Sequence, residues 1–316
     1  MALPAMAAVR RAHPETFISV AAVSSVAPLF REETSARVDG VITVDDRNEP
    51  EALRAAGFDA VLLLPNSFRS ALSARRAGIP QRWGYAAGLR SPLLTRSVRR
   101  GRERVHQSLY YARLVNGLGM PAHETLPCVR VTAPTAARAT ALLEQSGVPD
   151  GATLVGFAPG AAYGHAKRWP PSRVAELIAR LVRERDVMCV LGGAEGDRSA
   201  GREIESALPP GIRVINLIGR TGLREFAGLL ARCRAFVSND SGAMHLAAAI
   251  GVPVAAIFGP TDERVTAPAG EHDVLLHQVF CRPCMLRECP IDHRCMKGVS
   301  VGAVFEAVSR RLEARS

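Results

Sequence analysis

The chain has 316 residues, 47% of them hydrophobic and 22% charged, which suits two domains that each bury their own core. Forty Lys and Arg against 30 Asp and Glu give a net charge of +10. This charge indicates an anionic partner (nucleic acid, a phosphorylated substrate or an acidic membrane surface) or, equally well, a GC-rich genome, which favours arginine codons. The 5% of aromatic residues do not alternate with basic ones, which argues against a stacking platform for single-stranded nucleic acid, and no apolar stretch reaches the roughly 18 residues of a membrane helix.

The first predicted element is a helix in ALPAMAAVRRAHP, residues 2–14. Its alanines, Leu3 and Val9 form an apolar face, Arg10 lies in the last turn, and Pro14 ends the helix before a strand. A secretory signal would carry its positive charge before the apolar stretch, so the segment is not interpreted as one. The pattern is typical of a helix inside a fold, and a preceding segment is expected.

Strands and helices alternate along the rest of the chain, as in parallel sheets covered by helices on both faces. In the first half, we predict strands at 17–21, 40–43 and 59–64, helices at 49–56, 70–77, 105–118 and 134–145, and a basic irregular segment at 90–104. In the second half, we predict strands at 153–158, 187–191, 214–216, 235–238 and 254–258.

A turn-rich segment at 147–151 separates the two series and reads as a linker. The sequence therefore predicts an α/β protein with two doubly wound, Rossmann-like domains that face a cleft. The predicted domains are residues 1–147 and 148–316.

Four predicted strands of the second domain run directly into glycine-rich or polar turns. The carboxyl ends of parallel strands share one edge of a sheet, where ligands bind. The four loops expected to form one site are FAPGAAYGHAKRWP (157–170), VLGGAEGD (190–197), FVSNDSGAMH (236–245) and FGPTDE (258–263).

The third of these loops begins the segment SNDSGAMHLAAAIGVPVAAIFGPT, residues 238–261. Ser241 and Gly242 stand at a predicted helix start, where free N–H groups and the helix dipole favour a phosphate. Asp240 has the same charge as a phosphate and suits sugar hydroxyls; as a simple helix cap it would contribute about 1 kcal/mol. His245 lies one turn further along, either in the site or as a core histidine.

Two other loops add charged candidates. Lys167 could neutralise a diphosphate held at that helix start, although a lone lysine is more often a solvated surface charge. The carboxylates of Glu195 and Asp197 could accept hydrogen bonds from ribose hydroxyls, although acids are also common in the first turn of any helix.

These loops and three segments of the first half form a set of motifs in a defined order. The motifs are ALPAMAAVRRAHP (2–14), PNSFRSAL (65–72), AGIPQRWGY (77–85), PGAAYGHAKRWP (159–170), SNDSGAMHLAAA (238–249) and FGPTDE (258–263). Together they resemble the lipopolysaccharide core heptosyltransferases, glycosyltransferase family 9. The resemblance implies the GT-B fold and an inverting, metal-independent transfer of L-glycero-D-manno-heptose from ADP-heptose to heptosyl-Kdo2-lipid A.

The resemblance also implies roles for individual residues. The implied donor-binding residues are Lys167, Asp197, Asp240, Ser241, Gly242 and His245. Lys167 would contact the phosphates or ribose, Asp197 the ribose, and Asp240 the heptose hydroxyls. The implied acceptor-side residues are Asn66, Ser67 and Arg69, where a cationic surface suits phosphorylated lipid A.

The family's general base is an aspartate in a Gly-Asp turn between its first strand and first helix. Because residue 1 already lies in the matching helix, the resemblance places that strand and turn before Met1, and no catalytic residue is assigned. Either Met1 is an internal methionine of a longer chain, or the chain is a shortened copy that binds the donor and transfers poorly. Without that strand, its two neighbours would have unpaired backbone groups.

Four of the seven cysteines cluster at Cys281, Cys284, Cys289 and Cys295. This spacing could supply four thiolates to zinc or an iron–sulfur cluster, and such a metal would be structural because no coordination position stays open. One or two disulfides, or reduced thiols in a loop, fit the spacing equally well. Seven cysteines in a long chain without an export signal indicate a reducing, cytoplasmic compartment.

The predicted partners follow from the resemblance and the charge pattern. They are the ADP-heptose donor and a lipid A–core acceptor at the inner membrane surface of a Gram-negative bacterium, with no cofactor required for catalysis. Nucleic acid is not predicted, because the basic residues of 282–297 are offset by Glu288 and Asp292. Another nucleotide-sugar transferase of the same fold, or a catalytically impaired donor-binding protein, is the alternative.

Overall fold

The computed structural model describes residues 1–123, 126–161 and 164–314. The chain divides into two compact units, Met1–Pro127 and Cys128–Ser316. The boundary lies earlier than the predicted 147/148 because the helix Ala133–Gln145 packs on the helix Leu223–Ala231 of the second unit. Gly228 permits this close approach, since a Cβ at that position would lie 2.7 Å from Ala139 Cβ.

The first unit alternates helices and strands. Its helices are α1 (Leu3–Ala12), α2 (Glu49–Ala56), α3 (Phe68–Arg76) and α4 (Gln107–Gly117). Its strands are β1 (Ser19–Ala22), β2 (Glu33–Thr34), β3 (Gly40–Thr43), β4 (Ala60–Leu63), β5 (Gln81–Ala86) and β6 (Arg96–Arg99). The predicted first helix is confirmed, and it buries Ala5 and Ala8 completely against a cluster that includes Leu114 of α4.

Parallel strands of the first unit form two separate sheets. One pairs β1 with β3, and the other has the order β4–β5–β6.

Three strands of the first unit, β2, β5 and β6, were not predicted, and β6 lies in the segment 90–104 that was expected to be irregular. Arginine residues obscure the apolar pattern of β5 and β6 in the sequence. Their long aliphatic stems pack on apolar groups, but the residues count as polar because of the charged guanidinium. The Arg96 guanidinium lies 5.9 Å from the centre of the Trp83 ring, and Arg82 Nε donates to the Leu93 carbonyl at 2.7 Å.

The second unit contains a longer series of elements. Its strands are β7 (Val129–Arg130), β8 (Leu154–Ala158), β9 (Met188–Leu191), β10 (Ile215–Asn216), β11 (Cys233–Asn239), β12 (Val254–Phe258) and β13 (His272–Leu276). Its helices are α5 (Ala133–Gln145), α6 (Pro171–Arg185), α7 (Arg198–Ala207), α8 (Leu223–Ala231), α9 (Gly242–Ile250), α10 (Glu263–Thr266), α11 (Arg294–Lys297) and α12 (Val301–Glu313).

Six of these strands form one parallel sheet with the order β10–β9–β8–β11–β12–β13. Every residue of β8 and β12 is buried, as expected for central strands covered on both faces. The order reverses between β8 and β11, where Phe157 pairs with Val237, so the loops after these two strands leave the sheet side by side. This is the point at which doubly wound sheets bind ligands.

Helices cover this sheet through apolar contacts. α6 and α12 pack together, and Leu177, Leu181 and Phe305 lie in the main core cluster. None of the helices in the described parts of the chain is long and apolar enough to cross a membrane.

Candidate functional site

The site is centred on a buried ion pair at the switch point of the sheet. Lys167 ends the short 3-10 turn His165–Lys167 after β8, and Asp240 directly follows β11. Lys167 Nζ lies 2.6 Å from Asp240 Oδ2, and the two residues are only 9% and 6% exposed. The lysine is therefore not a solvated surface charge.

Asp240 is also not a helix cap, because the N-cap of α9 is Ser241. The Asp240 carboxylate instead accepts a hydrogen bond from the Thr261 hydroxyl at 2.7 Å, on the same Oδ2 that contacts Lys167. Thr261 is buried and belongs to the loop after β12. Three loops thus meet at one carboxylate, and two donors fix its orientation.

Asn239, the last residue of β11, ties the loop that carries Lys167 to the sheet. Its Nδ2 donates to the carbonyls of Pro159 and Gly160 at 2.7 and 3.3 Å, and its Oδ1 accepts from the Trp169 backbone N–H at 3.1 Å. These contacts hold the loop on both sides of Lys167. Sequence reasoning missed Asn239 and Thr261; the available signal was a polar residue at the end of a buried strand.

The amino-terminal end of α9 presents its first backbone N–H groups at the same edge. Ser241 adopts an extended conformation, its hydroxyl lies 3.2 Å from Ser238 Oγ, and it makes no capping bond to the helix. Gly242 is exposed, with open space where a side chain would stand. The helix has no acidic residue in its first turn, so its positive end suits an anion. Phosphate binding by Ser241 and Gly242 stays a prediction.

Asp197 comes from the loop after β9 and lies against the loop after β8. Its Oδ2 accepts from the Ala194 N–H at 3.3 Å, and Arg168 Nη2 lies 3.5 Å from Oδ1. A Cβ at Gly160 would lie 2.1 Å from this carboxylate, so a side chain at this position would displace Asp197. The structure therefore brings Asp197 to the loop that bears Lys167.

Two other sequence candidates have simpler surroundings. Glu195 pairs with Arg198 at 3.1 Å on an exposed surface, as an ordinary first-turn acid does. His245 is half-buried in the first turn of α9, one turn after Ser241, and its role in the site stays a prediction.

The three acceptor-side candidates lie around the start of α3 in the first unit. Ser67 is the N-cap of α3 and accepts from the Ser70 N–H at 3.1 Å. Asn66 Nδ2 donates to the Tyr110 hydroxyl at 2.7 Å, whereas Arg69 points to Asp46 in an exposed ion pair. These residues are neighbours in the fold, but their side chains do not converge on one point.

Arg90, which sequence reasoning did not single out, is fully buried behind Asn66. Its guanidinium donates to Asn66 Oδ1 at 3.3 Å, to the Tyr85 carbonyl at 3.0 Å and to the Pro65 carbonyl. Burial lowers the pKa of Arg90. These hydrogen bonds fix the backbone in front of α3.

The predicted metal ligands Cys281, Cys284, Cys289 and Cys295 are free thiols. Cys295 is buried next to Met296, whereas the other three are partly exposed. Among the residues that the structure describes, no group of three or more His, Cys, Asp or Glu could hold a metal ion. The structure therefore does not bring the four cysteines together as a ligand set, and a metal at these cysteines stays a prediction.

Two α/β units with parallel sheets, the second with a doubly wound order, match the GT-B fold of glycosyltransferases. The chain belongs to glycosyltransferase family 9, the heptosyltransferases. The sequence model described as "Glycosyltransferase family 9 (heptosyltransferase)" matches residues 50–294.

Individual relatives agree with this family. Lipopolysaccharide heptosyltransferase 2 of Salmonella typhimurium is 34% identical over 237 residues, which cover 72% of this chain and 68% of that protein. Lipooligosaccharide heptosyltransferase 2 of Haemophilus influenzae is 33% identical over 231 residues, which cover 70% of this chain and 66% of that protein. The matched segment therefore spans about two thirds of the length of these relatives.

Solved structures show the same fold. The Escherichia coli ADP-heptose LPS heptosyltransferase II is 28% identical, with a TM-score of 0.83 over 100% of this chain and 95% of that one. A family 9 glycosyl transferase from Veillonella parvula is 21% identical, with a TM-score of 0.85 over 99% of this chain and 93% of that one, which shows the fold.

Proposed function

We propose that this protein transfers L-glycero-D-manno-heptose from ADP-heptose to the heptosyl-Kdo2-lipid A inner core of lipopolysaccharide, with inversion at the anomeric carbon. The observation that carries the proposal is the buried Lys167–Asp240 pair beside the open amino-terminal end of α9. A cation and free N–H groups suit a diphosphate, and a fixed carboxylate suits sugar hydroxyls. Relatives that are 33–34% identical to this chain are named as heptosyltransferases.

Each donor-site residue has a part in this proposal. Ser241 and Gly242 at the start of α9 bind the diphosphate, and Lys167 neutralises it. Asp240 accepts from heptose hydroxyls, and Asp197 from the ribose. The lysine has three donors, so it can bridge Asp240 and a phosphate oxygen together.

The acceptor is proposed to meet the first unit near Asn66, Ser67 and Arg69. Asn66 is held from behind by Arg90, while Arg69 offers an exposed guanidinium that suits a phosphate of lipid A. The proposed setting is the cytoplasm, with the acceptor at the inner membrane surface.

Donor choice tests the function directly. At about 100 times its dissociation constant, ADP-heptose is expected to raise the free energy of unfolding by about 2.7 kcal/mol, and UDP-sugars are expected to raise it far less. Thermal unfolding with each ligand measures this difference. Equal protection by UDP-sugars would favour a different nucleotide-sugar transferase, and no protection by ADP-heptose would contradict the proposal.

A matched pair of glycine variants tests where the diphosphate binds. Gly242→Asp places a carboxylate at the start of α9, and Gly302→Asp does the same in the first turn of α12, where the nearest atom would be 4.0 Å away. Both substitutions suit the dipole of their helix, so neither should unfold the chain. Only Gly242→Asp is expected to abolish protection by ADP.

A structural metal at the four clustered cysteines is a separate prediction that metal analysis tests. A content of about one zinc ion per chain, or of about two to four iron ions for an iron–sulfur cluster, lost in Cys284→Ser, would support four thiolate ligands. A content near zero would rule the metal out.

A further inference from the structure

We propose that the segment 281–288 positions two loops of the donor site, the loop after β8 that carries Lys167 and the loop after β12 that carries Thr261. Arg282 is its central positioning residue. The inference deepens the proposed function and rests on it, because it assigns this segment to the same donor site. It gives the cysteine-containing segment a role that does not depend on metal.

Arg282 is buried and reaches into the loop after β12. Its Nε donates to the Gly259 carbonyl at 2.7 Å, and its Nη2 donates to the Thr261 carbonyl at 3.0 Å and to Glu263 Oε2 at 2.6 Å. The side chain is only 3% exposed. The planar guanidinium thus holds two backbone carbonyls and a carboxylate at fixed angles, which a lysine ammonium cannot do.

Backbone hydrogen bonds connect the segment to a second loop as well. The Met285 N–H donates to the Pro260 carbonyl at 2.9 Å, and the Ala166 N–H donates to the Arg287 carbonyl at 3.0 Å. The segment therefore touches the loop after β12 through Arg282 and Met285, and the loop that carries Lys167 through Arg287.

Gly164 allows the loop after β8 to lie close to the backbone of Arg287. A Cβ at this position would lie 2.3 Å from the Arg287 carbonyl oxygen, and the residue has φ = 150°, a conformation that favours glycine. The loop after β8 can therefore approach the segment only because residue 164 has no side chain.

The two loops meet at Asp240, which gives the segment a route to the site. Arg282 holds the backbone of Thr261, the Thr261 hydroxyl donates to Asp240 Oδ2, and the same oxygen contacts Lys167. Arg282 does not contact these charged groups itself, so its effect on a donor must pass through Thr261. Loss of the guanidinium would free the loop and misplace the hydroxyl that orients Asp240.

Two measurements on three variants test this role. Arg282→Met removes the guanidinium, Arg282→Lys keeps the charge, and Arg294→Met is the matched control, since Arg294 belongs to the same stretch and bonds Asp292. In Arg282→Met we expect faster hydrogen exchange at the backbone amides of residues 259 and 261–263 in the ligand-free chain. We also expect ADP-heptose affinity to fall at least about tenfold. Arg282→Lys should restore part of both, and Arg294→Met should match the wild type.

A double-mutant cycle with Thr261→Val tests the route. Because Arg282 acts through Thr261, the affinity loss in the double variant should be smaller than the sum of the two single losses. Additive losses would overturn the route, and unchanged exchange and affinity in Arg282→Met would overturn the positioning role. Faster exchange in Arg282→Met than in the wild type, together with no binding of ADP-heptose by the wild type, would retain the positioning role and refute the proposed function. If Arg282→Met does not fold, Glu263→Gln replaces it; smaller changes in the same direction are expected, because the amide oxygen still accepts from Arg282 but has no charge.

Discussion

Replacing Lys167 by methionine is expected to abolish ADP-heptose binding and to lower the free energy of unfolding by about 3 kcal/mol. The ammonium contacts Asp240 Oδ2 at 2.6 Å, and both residues are almost completely buried. Without the lysine, the Asp240 carboxylate would be a buried charge, and among the described residues the Thr261 hydroxyl would be its remaining side-chain donor. Urea unfolding and calorimetric titration of the donor measure the two effects.

A second substitution separates stability from binding. Asn at position 240 accepts the Thr261 hydrogen bond and has no charge to bury, so Lys167→Met with Asp240→Asn is expected to recover most of the stability. It should not recover donor binding, because the cation for the diphosphate is still missing. Lys297→Met is the control, since Lys297 is exposed at the end of α11. Donor binding that persists in Lys167→Met would contradict the site.

The sequence predicts the ends of the strands that build this site. Predicted strands ending at 158, 191 and 258 end at those residues in the structure, and the predicted end of β11 at 238 lies one residue before the observed Asn239. Apolar runs that stop at glycine or a polar residue define a strand end locally, and the loops that follow are therefore also predictable. Because the sheet is parallel, their meeting at one edge follows as well.

The missed elements have mixed composition. β13 reads HDVLL, and each of its residues is half-buried at the edge of the sheet, so neither a continuous apolar run nor strict alternation marks it. β6 reads RSVR and is similarly concealed by arginine.

Contacts inside the site depend on distant partners, which explains why several of its residues were missed. Lys167 and Asp240 are 73 positions apart in the sequence, and Thr261 lies 21 positions after Asp240. Local patterns show that each residue follows a strand but not which side chains bond one another. Arg282 is the extreme case, because its sequence neighbours Cys281 and Cys284 point to metal chemistry while its own contacts point to the donor loops.

Asn239 links these loops most directly, and Asn239→Asp is expected to lower the free energy of unfolding by about 3 kcal/mol or more. The amide donates to two carbonyls, and its oxygen accepts from Trp169 N–H in a position only 2% exposed. A carboxylate of the same shape keeps the accepting role but loses both donors and adds a buried negative charge that faces the Pro159 and Gly160 carbonyl oxygens. The loop that carries Lys167 should then move away from Asp240, and donor binding should be lost.

Protonation should partly reverse this defect, which distinguishes charge burial from a general loss of packing. Burial would raise the pKa of the introduced carboxyl in the folded state above its unfolded value of about 4, so the stability deficit grows as pH rises above about 4 and is smaller at about pH 5 than at about pH 7. Urea unfolding at both pH values measures it. The isosteric control is Asn48→Asp, at an exposed position whose Oδ1 accepts from the Asp45 N–H. If both variants lost the same free energy of unfolding at both pH values, the proposed link from Asn239 of β11 to the loop that carries Lys167 would be contradicted.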